Sequence, residues 1–497
     1  MSSIKKLAGQ TMWYGVSSIF ARFLNYLLTP YLTLMFTGTT DFGKMSLVYS
    51  LIPFLNVAVV FALDTAYFRY IQQKEGQAHL YDTLLYSLFL NTLLITGILL
   101  LFRQPIAAFI HLENRPEYIT FTACIIGLEA LSALPFAKLR HEGRPKRFAF
   151  IRVTGILLNI FFTFFFLSLC PKLAKTHPNG IWRLIYSPGF GVGYVLLANL
   201  ISSAFQFLAL SGQFLQFRWK FDKKLWIDVM IYALPLTIAG FGGMINETFD
   251  RIMLARRLDI SRADLDVGIY SACYKLSLLI SLFVQAFRMG AEPFFFRQAT
   301  EGDAPRTYAR VMKFFVITIC LMFLVVALYL DIWKQFIRDK TMWKGLGVVP
   351  ILLFANMFLG IYYNLSIWYK LSRNTRAGAY ITLIGAAITL VINYIFIPRF
   401  SYWASAWATF LCYGSMMVIS FNWGQKAYRV PYAWKKLVAY MVIVALLFFI
   451  HYGITRIWNN QAFSLILATL LTGGYAFFIL RVERKEFRRL PVVGKYL

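Results

Sequence analysis

Fourteen apolar runs, each long enough to cross a bilayer, follow one another along this chain with only short connections between them. They cover 8–36, 44–68, 80–102, 118–138, 149–170, 188–215, 225–250, 268–294, 311–331, 346–369, 377–397, 402–423, 434–452 and 462–480. A hydrocarbon layer of ~30 Å needs roughly 20 residues of helix, because backbone polar groups in lipid must be satisfied within the segment. The pattern therefore predicts an all-α polytopic membrane protein with about fourteen transmembrane helices. Composition closes the soluble alternative: 59% of residues are apolar and only 14% charged, too few to cover a water-facing surface. The first, second and eighth runs are longer than a span requires, which predicts tilt or bending. Only 171–187 and 332–345 read as irregular connections, and no extramembrane domain is expected.

A formal charge of +28 would suggest nucleic acid in a soluble protein. Here the basic residues sit between apolar runs, so they read as topology signals and contacts to anionic membrane lipids, with no nucleic-acid partner. The N-terminus, the even-numbered connections and the C-terminal tail hold 30 of the 50 Lys and Arg, against 16 in the odd-numbered connections. Cytoplasmic N and C termini follow. The densest patches are 138–147 and 481–489. Cys124, Cys170, Cys273, Cys320 and Cys412 show neither CxxC nor metal spacing and read as small core residues. The opening MSSIKKLAGQ enters the first run without a cleavage-type site, so no removable signal peptide is expected.

An internal repeat adds organisation. DFGKMSLVYSL (41–51) and DVGIYSACYKL (266–276) match at 5 of 11 positions and open equivalent runs, 225 residues apart. Lys138–Leu139 before the fifth run is echoed by Lys370–Leu371 before the eleventh. The expected division is a six-helix lobe at 1–220, a second at 221–425, and two extra helices with a basic tail at 426–497. An even number of spans per lobe makes the repeats parallel, an arrangement that commonly binds substrate between halves and works by alternating access.

Charges inside the membrane are expensive and need a partner, water or a function. Together with the polar Asn25 and Asn246, they concentrate on the first two runs of each lobe: Arg22 and Asp64 in one, and Glu247, Asp250, Arg251, Lys275, Arg288 and Glu292 in the other. Elsewhere Glu129 and Arg152 stand more isolated. Helical spacing places Glu247 beside Arg251, and Arg288 beside Glu292, as local ion pairs. Arg22 and Lys275 have no opposite charge within a turn, so they need another helix, water or an anionic ligand; Asp64 is a competing partner. Pro235 with GFGG (Gly240, Gly242 and Gly243) predicts a bend or hinge in the seventh run, or a static packing kink. No GxxxxGK[ST] or HExxH occurs, so neither ATP hydrolysis nor metal catalysis is expected, and the chain does not read as an enzyme.

KKLAGQTMWYGVSSIFARFLNYLLTPYLT at the start, FGKMSLVYSL, YSACYKLSLLISLFVQAFRMGAEPFFF and KLRHEGRPKRFA together resemble the polysaccharide-biosynthesis flippases of the multidrug/oligosaccharidyl-lipid/polysaccharide exporter superfamily. The resemblance implies a V-shaped pair of lobes in a bacterial inner membrane. It implies flipping of an undecaprenyl-pyrophosphate-linked oligosaccharide, such as an O-antigen (lipopolysaccharide) or capsule repeat unit, with a polysaccharide polymerase or ligase as further partner. Arg22, Arg288 and Lys275 would then serve the pyrophosphate. Asn25, Asp64, Asn246, Glu247, Asp250 and Glu292 would line the cavity or couple ions. No cofactor is expected, with coupling to a Na⁺ or H⁺ gradient left open. The alternatives are a lipid II flippase, a cation-coupled multidrug antiporter and a non-transporting membrane scaffold.

Overall fold

The computed structural model describes residues 19–20, 22–36, 39–71, 79–177, 180, 182–215, 217–218, 220–299, 303–372, 374–458 and 460–488. Thirteen helices among them are long and apolar enough to cross a membrane, and they coincide with the second to fourteenth apolar runs. The first run, 8–36, lies largely outside the described residues. Its remainder is helical and includes Thr29–Met35. Large apolar side chains such as Leu93, Leu101, Phe449 and Leu470 stand exposed on these helices. That placement is stable only against lipid, so the protein is a multi-pass membrane protein.

Local chemistry sets many helix starts. Pro145, Pro305 and Pro350 occupy first-turn positions, where a missing N–H costs nothing. Asp222 accepts from the Leu225 N–H at 3.1 Å, and Asn460 accepts from Ala462 and Phe463. Two helices, Lys223–Arg257 and Ile260–Gln298, reach 35 and 39 residues. At 1.5 Å per residue each is over ~50 Å long, beyond one hydrocarbon thickness.

Two expectations need correction. The second run is not one helix: Thr39–Val60 stops and Leu63–Tyr70 restarts, with Phe61 and Ala62 both left-handed at φ 52° and 51°. The compensation is distant in sequence. The Asn91 amide donates to the Ala58 and Val59 carbonyls at 3.0 and 2.7 Å, satisfying acceptors that the break orphans. The connections at 171–187 and 332–345 are also more ordered than expected, carrying Cys170–Thr176 as helix and Lys340–Val348 as 3₁₀ turns. The seventh run passes through Pro235 and the glycines as a single helix. Gly240 and Gly242 permit close helix approach there, since a Cβ would lie 3.1 Å from Val57 and 3.3 Å from Thr382 and Leu383.

The chain forms two compact units. One comprises 1–272, 339–342 and 375–412; the other comprises 273–338, 343–374 and 413–497. In the first, Lys223–Arg257 packs along both Thr375–Phe400 and Thr39–Val60. The aligned motifs also meet there: a Cβ on Gly43 would lie 2.0 Å from the Asp264 carbonyl oxygen and 3.1 Å from the Gly268 nitrogen. Lys44 reaches Asp264 at 4.0 Å beside this contact. In the second unit, Glu483 is a buried hub. It accepts from Lys313 at 2.9 Å and Tyr440 at 2.6 Å and pairs with Lys436, fastening the end of Gln461–Val482 to Ala304–Ala327 and Trp434–Ile457.

Candidate functional site

Polar side chains of the first unit fall into two groups. One is a closed network. Both Asp250 oxygens are used, Oδ2 by the Tyr270 hydroxyl at 2.6 Å and Oδ1 by Arg251 at 3.1 Å, and all three residues are buried. The expected Glu247–Arg251 carboxylate pair does not form. Arg251 donates to the Glu247 backbone carbonyl instead, and the Glu247 side chain is exposed. Beside it runs a ladder in which Asn246 bonds Thr382 and Thr389, Asn393 bonds the Thr389 carbonyl, and Ser405 bonds Asn393. Such a satisfied network locks helices together.

The other group is open. Arg152, on Pro145–Phe164, is exposed. It stacks on Phe136 at 4.2 Å, reaches Gln206 at 3.5 Å, and feels the charges of Glu129, Arg140 and Arg22. Arg22 is itself exposed, as is Asn25. Glu129 accepts from Ser203 at 3.3 Å, and Tyr49 and Asn199 stand nearby. Asp64 is committed elsewhere: its Oδ1 accepts from the Thr65 N–H at 2.8 Å at the start of the restarted helix. Arg152 is a candidate that the sequence reading passed over. Its signal was available, because it is a cation inside the fifth run, but its place near the start of that run made it read as a flanking charge.

In the second unit, Arg288 and Glu292 form the expected i, i+4 pair, at 3.7 Å. Glu292 is held more tightly by Lys370, at 2.6 Å. Arg288 lies over the Tyr363 ring at 4.7 Å. Arg288, Glu292 and Tyr363 line a small cleft of about 10 Å³, room for a water, whose walls also include Phe287, Phe295 and Asn364. Lys275 is on the same continuous helix as Arg288, thirteen positions earlier and half-buried. That is about 20 Å along the axis and on a nearly opposite face, so the two cations do not converge on one small group. Among the described residues, no cluster of three or more His, Cys, Asp or Glu is placed to hold a metal.

A family model described as "Polysaccharide biosynthesis protein" matches residues 7–298. Among solved structures, the fold is similar to the lipid II flippase MurJ in an inward closed conformation. The TM-score is 0.67 at 12% identity, covering 94% of this chain and 98% of that one. It is also similar to a multidrug resistance MATE family transporter of the MOP superfamily. The inward-facing form gives TM-score 0.61 at 14% identity over 84% and 94% of the two chains, and the outward-facing form 0.56 at 12% over 87% and 96%. No curated protein matches by sequence.

Proposed function

The chain belongs to the polysaccharide biosynthesis protein family, and from that premise we propose that it is a flippase for an undecaprenyl-pyrophosphate-linked oligosaccharide in a bacterial inner membrane. The observation that carries the reading is the accessible arginine pair Arg22 and Arg152 among apolar helices. A cation there costs a few kcal/mol unless water or an anion compensates it, and guanidinium groups bind phosphate oxygens in a two-pronged geometry that Lys cannot reproduce. Arg288 is the weaker candidate for the phosphates, because Glu292 already neighbours it. Lys275 does not share its site. The lobes 1–220 and 221–425 would alternate access, with both termini cytoplasmic, the prenyl tail in lipid and the sugars crossing through the polar interior. Translocation, not bond chemistry, is the activity.

The multidrug antiporter reading draws on the same fold and would use Asp64, Glu247 and Asp250; Asp250 spends its oxygens on Tyr270 and Arg251 and Asp64 accepts from Thr65, so only the exposed Glu247 is left to it. A lipid II substrate differs in its glycan and shares the pyrophosphate. The test is reconstitution into vesicles with a fluorescent polyprenyl-pyrophosphate disaccharide, scoring its accessibility to a membrane-impermeant quencher over time. The proposal expects protein-dependent exchange, slowed at least ten-fold by Arg22→Gln or Arg152→Gln in protein of normal abundance. Exchange no faster than in empty vesicles would sink it.

A further inference from the structure

The helix Thr39–Val60 runs through Pro53, a residue that removes a helix hydrogen bond, and stops instead at Phe61 and Ala62. Two consecutive non-glycine residues at φ 52° and 51° are costly, because Cβ crowds the following carbonyl in the left-handed region. Local sequence therefore favours one continuous helix over 39–70, and the break depends on partners from elsewhere. Asn91 supplies the first, by donating to the Ala58 and Val59 carbonyls. Beyond the break, Leu63–Tyr70 turns Leu63, Ala66 and Tyr67 into a buried cluster with Leu84, Leu88, Leu134 and Val229. Its far end is fastened to the helix Lys223–Arg257. The Tyr70 hydroxyl donates to the Asp228 carbonyl at 3.0 Å, and the Arg69 guanidinium lies over the Tyr232 ring at 4.1 Å.

We infer that Leu63–Tyr70 is a gate helix, hinged at Phe61–Ala62 and closed in this structure. It opens when the two hinge residues return to helical angles, which joins 39–70 into one helix and withdraws the short segment from Asp228 and Tyr232. One conformer is preferred by the local backbone and the other by tertiary contacts, the condition for a two-state element. Strain at the hinge offsets part of the contact energy, so the closed form is favoured without being locked. Asn91 is the positioning residue of the closed form. The inference rests on the flippase reading only for what the gate separates: Leu63–Tyr70 belongs to the proposed lobe 1–220, Asp228 and Tyr232 to the proposed lobe 221–425. The proposed topology puts their contact at the cytoplasmic end of the path.

Cysteine labelling of the full chain in lipid nanodiscs tests this. Ala66 is 0% exposed, so Ala66→Cys reacts with a membrane-impermeant maleimide only through the open form. Mass spectrometry reads each peptide separately, with half-buried Cys124 as background and buried Cys170, Cys273, Cys320 and Cys412 as indicators of an intact fold. A left-handed L-residue costs roughly a factor of ten in population, which glycine avoids, so Ala62→Gly should slow labelling about ten-fold. Asn91→Leu orphans two carbonyls of the closed form and should speed it about ten-fold. A static kink predicts changes in the unfolding midpoint with labelling unmoved. Ala62→Val, whose branched Cβ disfavours left-handed angles, replaces Asn91→Leu if that protein does not fold, and Leu63→Cys likewise replaces Ala66→Cys. Equal rates in the folded variants, shifts of the same sign, or no labelling even with the hinge loosened would each overturn the assignment. Opposite shifts without lipid flipping would remove the flippase reading and leave the hinge standing; flipping with unmoved labelling would do the reverse.

Discussion

Replacing Gly43 by Ala should be among the most damaging single-methyl changes in this protein. The added Cβ would lie 2.0 Å from the Asp264 carbonyl oxygen, 3.0 Å from its carbon and 3.1 Å from the Gly268 nitrogen. All three obstacles are backbone, so no side-chain rotation relieves them. Restoring ordinary contact requires the 39–60 and 260–298 helices to separate by more than about 1 Å, which forfeits packing along their shared surface. Overpacking typically costs about 1–3 kcal/mol, and an immovable backbone places this case near the upper end. Gly243→Ala is the matched control: nothing lies within 4 Å of its Cβ, and exchanging a mid-helix Gly for Ala gains up to about 1 kcal/mol. The assay is the thermal unfolding midpoint of detergent-purified protein at fixed scan rate, with disulfide cross-linking of Lys44→Cys to Asp264→Cys reporting separation of the helix ends. Gly43→Ala should lower the midpoint or weaken the cross-link, and Gly243→Ala should do neither. A Gly43→Ala protein matching wild type in both measurements would refute the packing argument.

Glu483 makes a pH-dependent prediction. Burial alone would raise its pKa, but Lys436, Tyr440 and Lys313 outweigh burial and hold the carboxyl below the usual carboxylate range. A depressed folded value means the stabilisation is complete above about pH 4.3 and is lost as pH falls through the folded value. The wild-type unfolding midpoint should therefore fall more steeply on acidification to pH 3 than that of Glu483→Gln, and Glu483→Ala should cost about 3 kcal/mol at pH 7; parallel pH profiles would contradict this. Asp250→Asn should reduce membrane abundance by weakening the grip on Arg251 and Tyr270, with partial recovery in Asp250→Asn/Arg251→Met on immunoblots. Reporter fusions after residues 142 and 485 should both report cytoplasm, and a periplasmic signal at either would overturn the orientation.

The spans were legible because lipid imposes a local rule: every crossing needs about 20 apolar residues whatever surrounds it. The Arg288–Glu292 pair was legible for a similar reason, since i, i+4 spacing suffices. The break at Phe61–Ala62 was not, because neither residue is Gly or Pro and the amide that stabilises it belongs to Asn91, thirty residues on. Glu247 misled through the same spacing rule that succeeded at Arg288. Arg251 found Asp250 and a backbone carbonyl closer, with Tyr270 completing a network that no single-helix reading contains. The glycines at 240 and 242 announced an unusual helix, but only their neighbours Val57 and Thr382 show close packing. Lys275 and Arg288 looked like one cationic set until a continuous helix set them about 20 Å apart.

The central claim is that accessible arginines in the membrane interior serve an anionic lipid carrier. Its most direct measurement is the rate at which a fluorescent polyprenyl-pyrophosphate disaccharide changes leaflet in vesicles holding wild type, Arg152→Gln or Arg152→Lys at equal protein content. The account predicts rapid exchange by wild type and at least ten-fold slowing by Arg152→Gln. It also predicts poor rescue by Arg152→Lys, because an ammonium cannot reproduce the two-pronged contact. Equal rates for all three proteins, or a wild-type rate equal to that of protein-free vesicles, would contradict it.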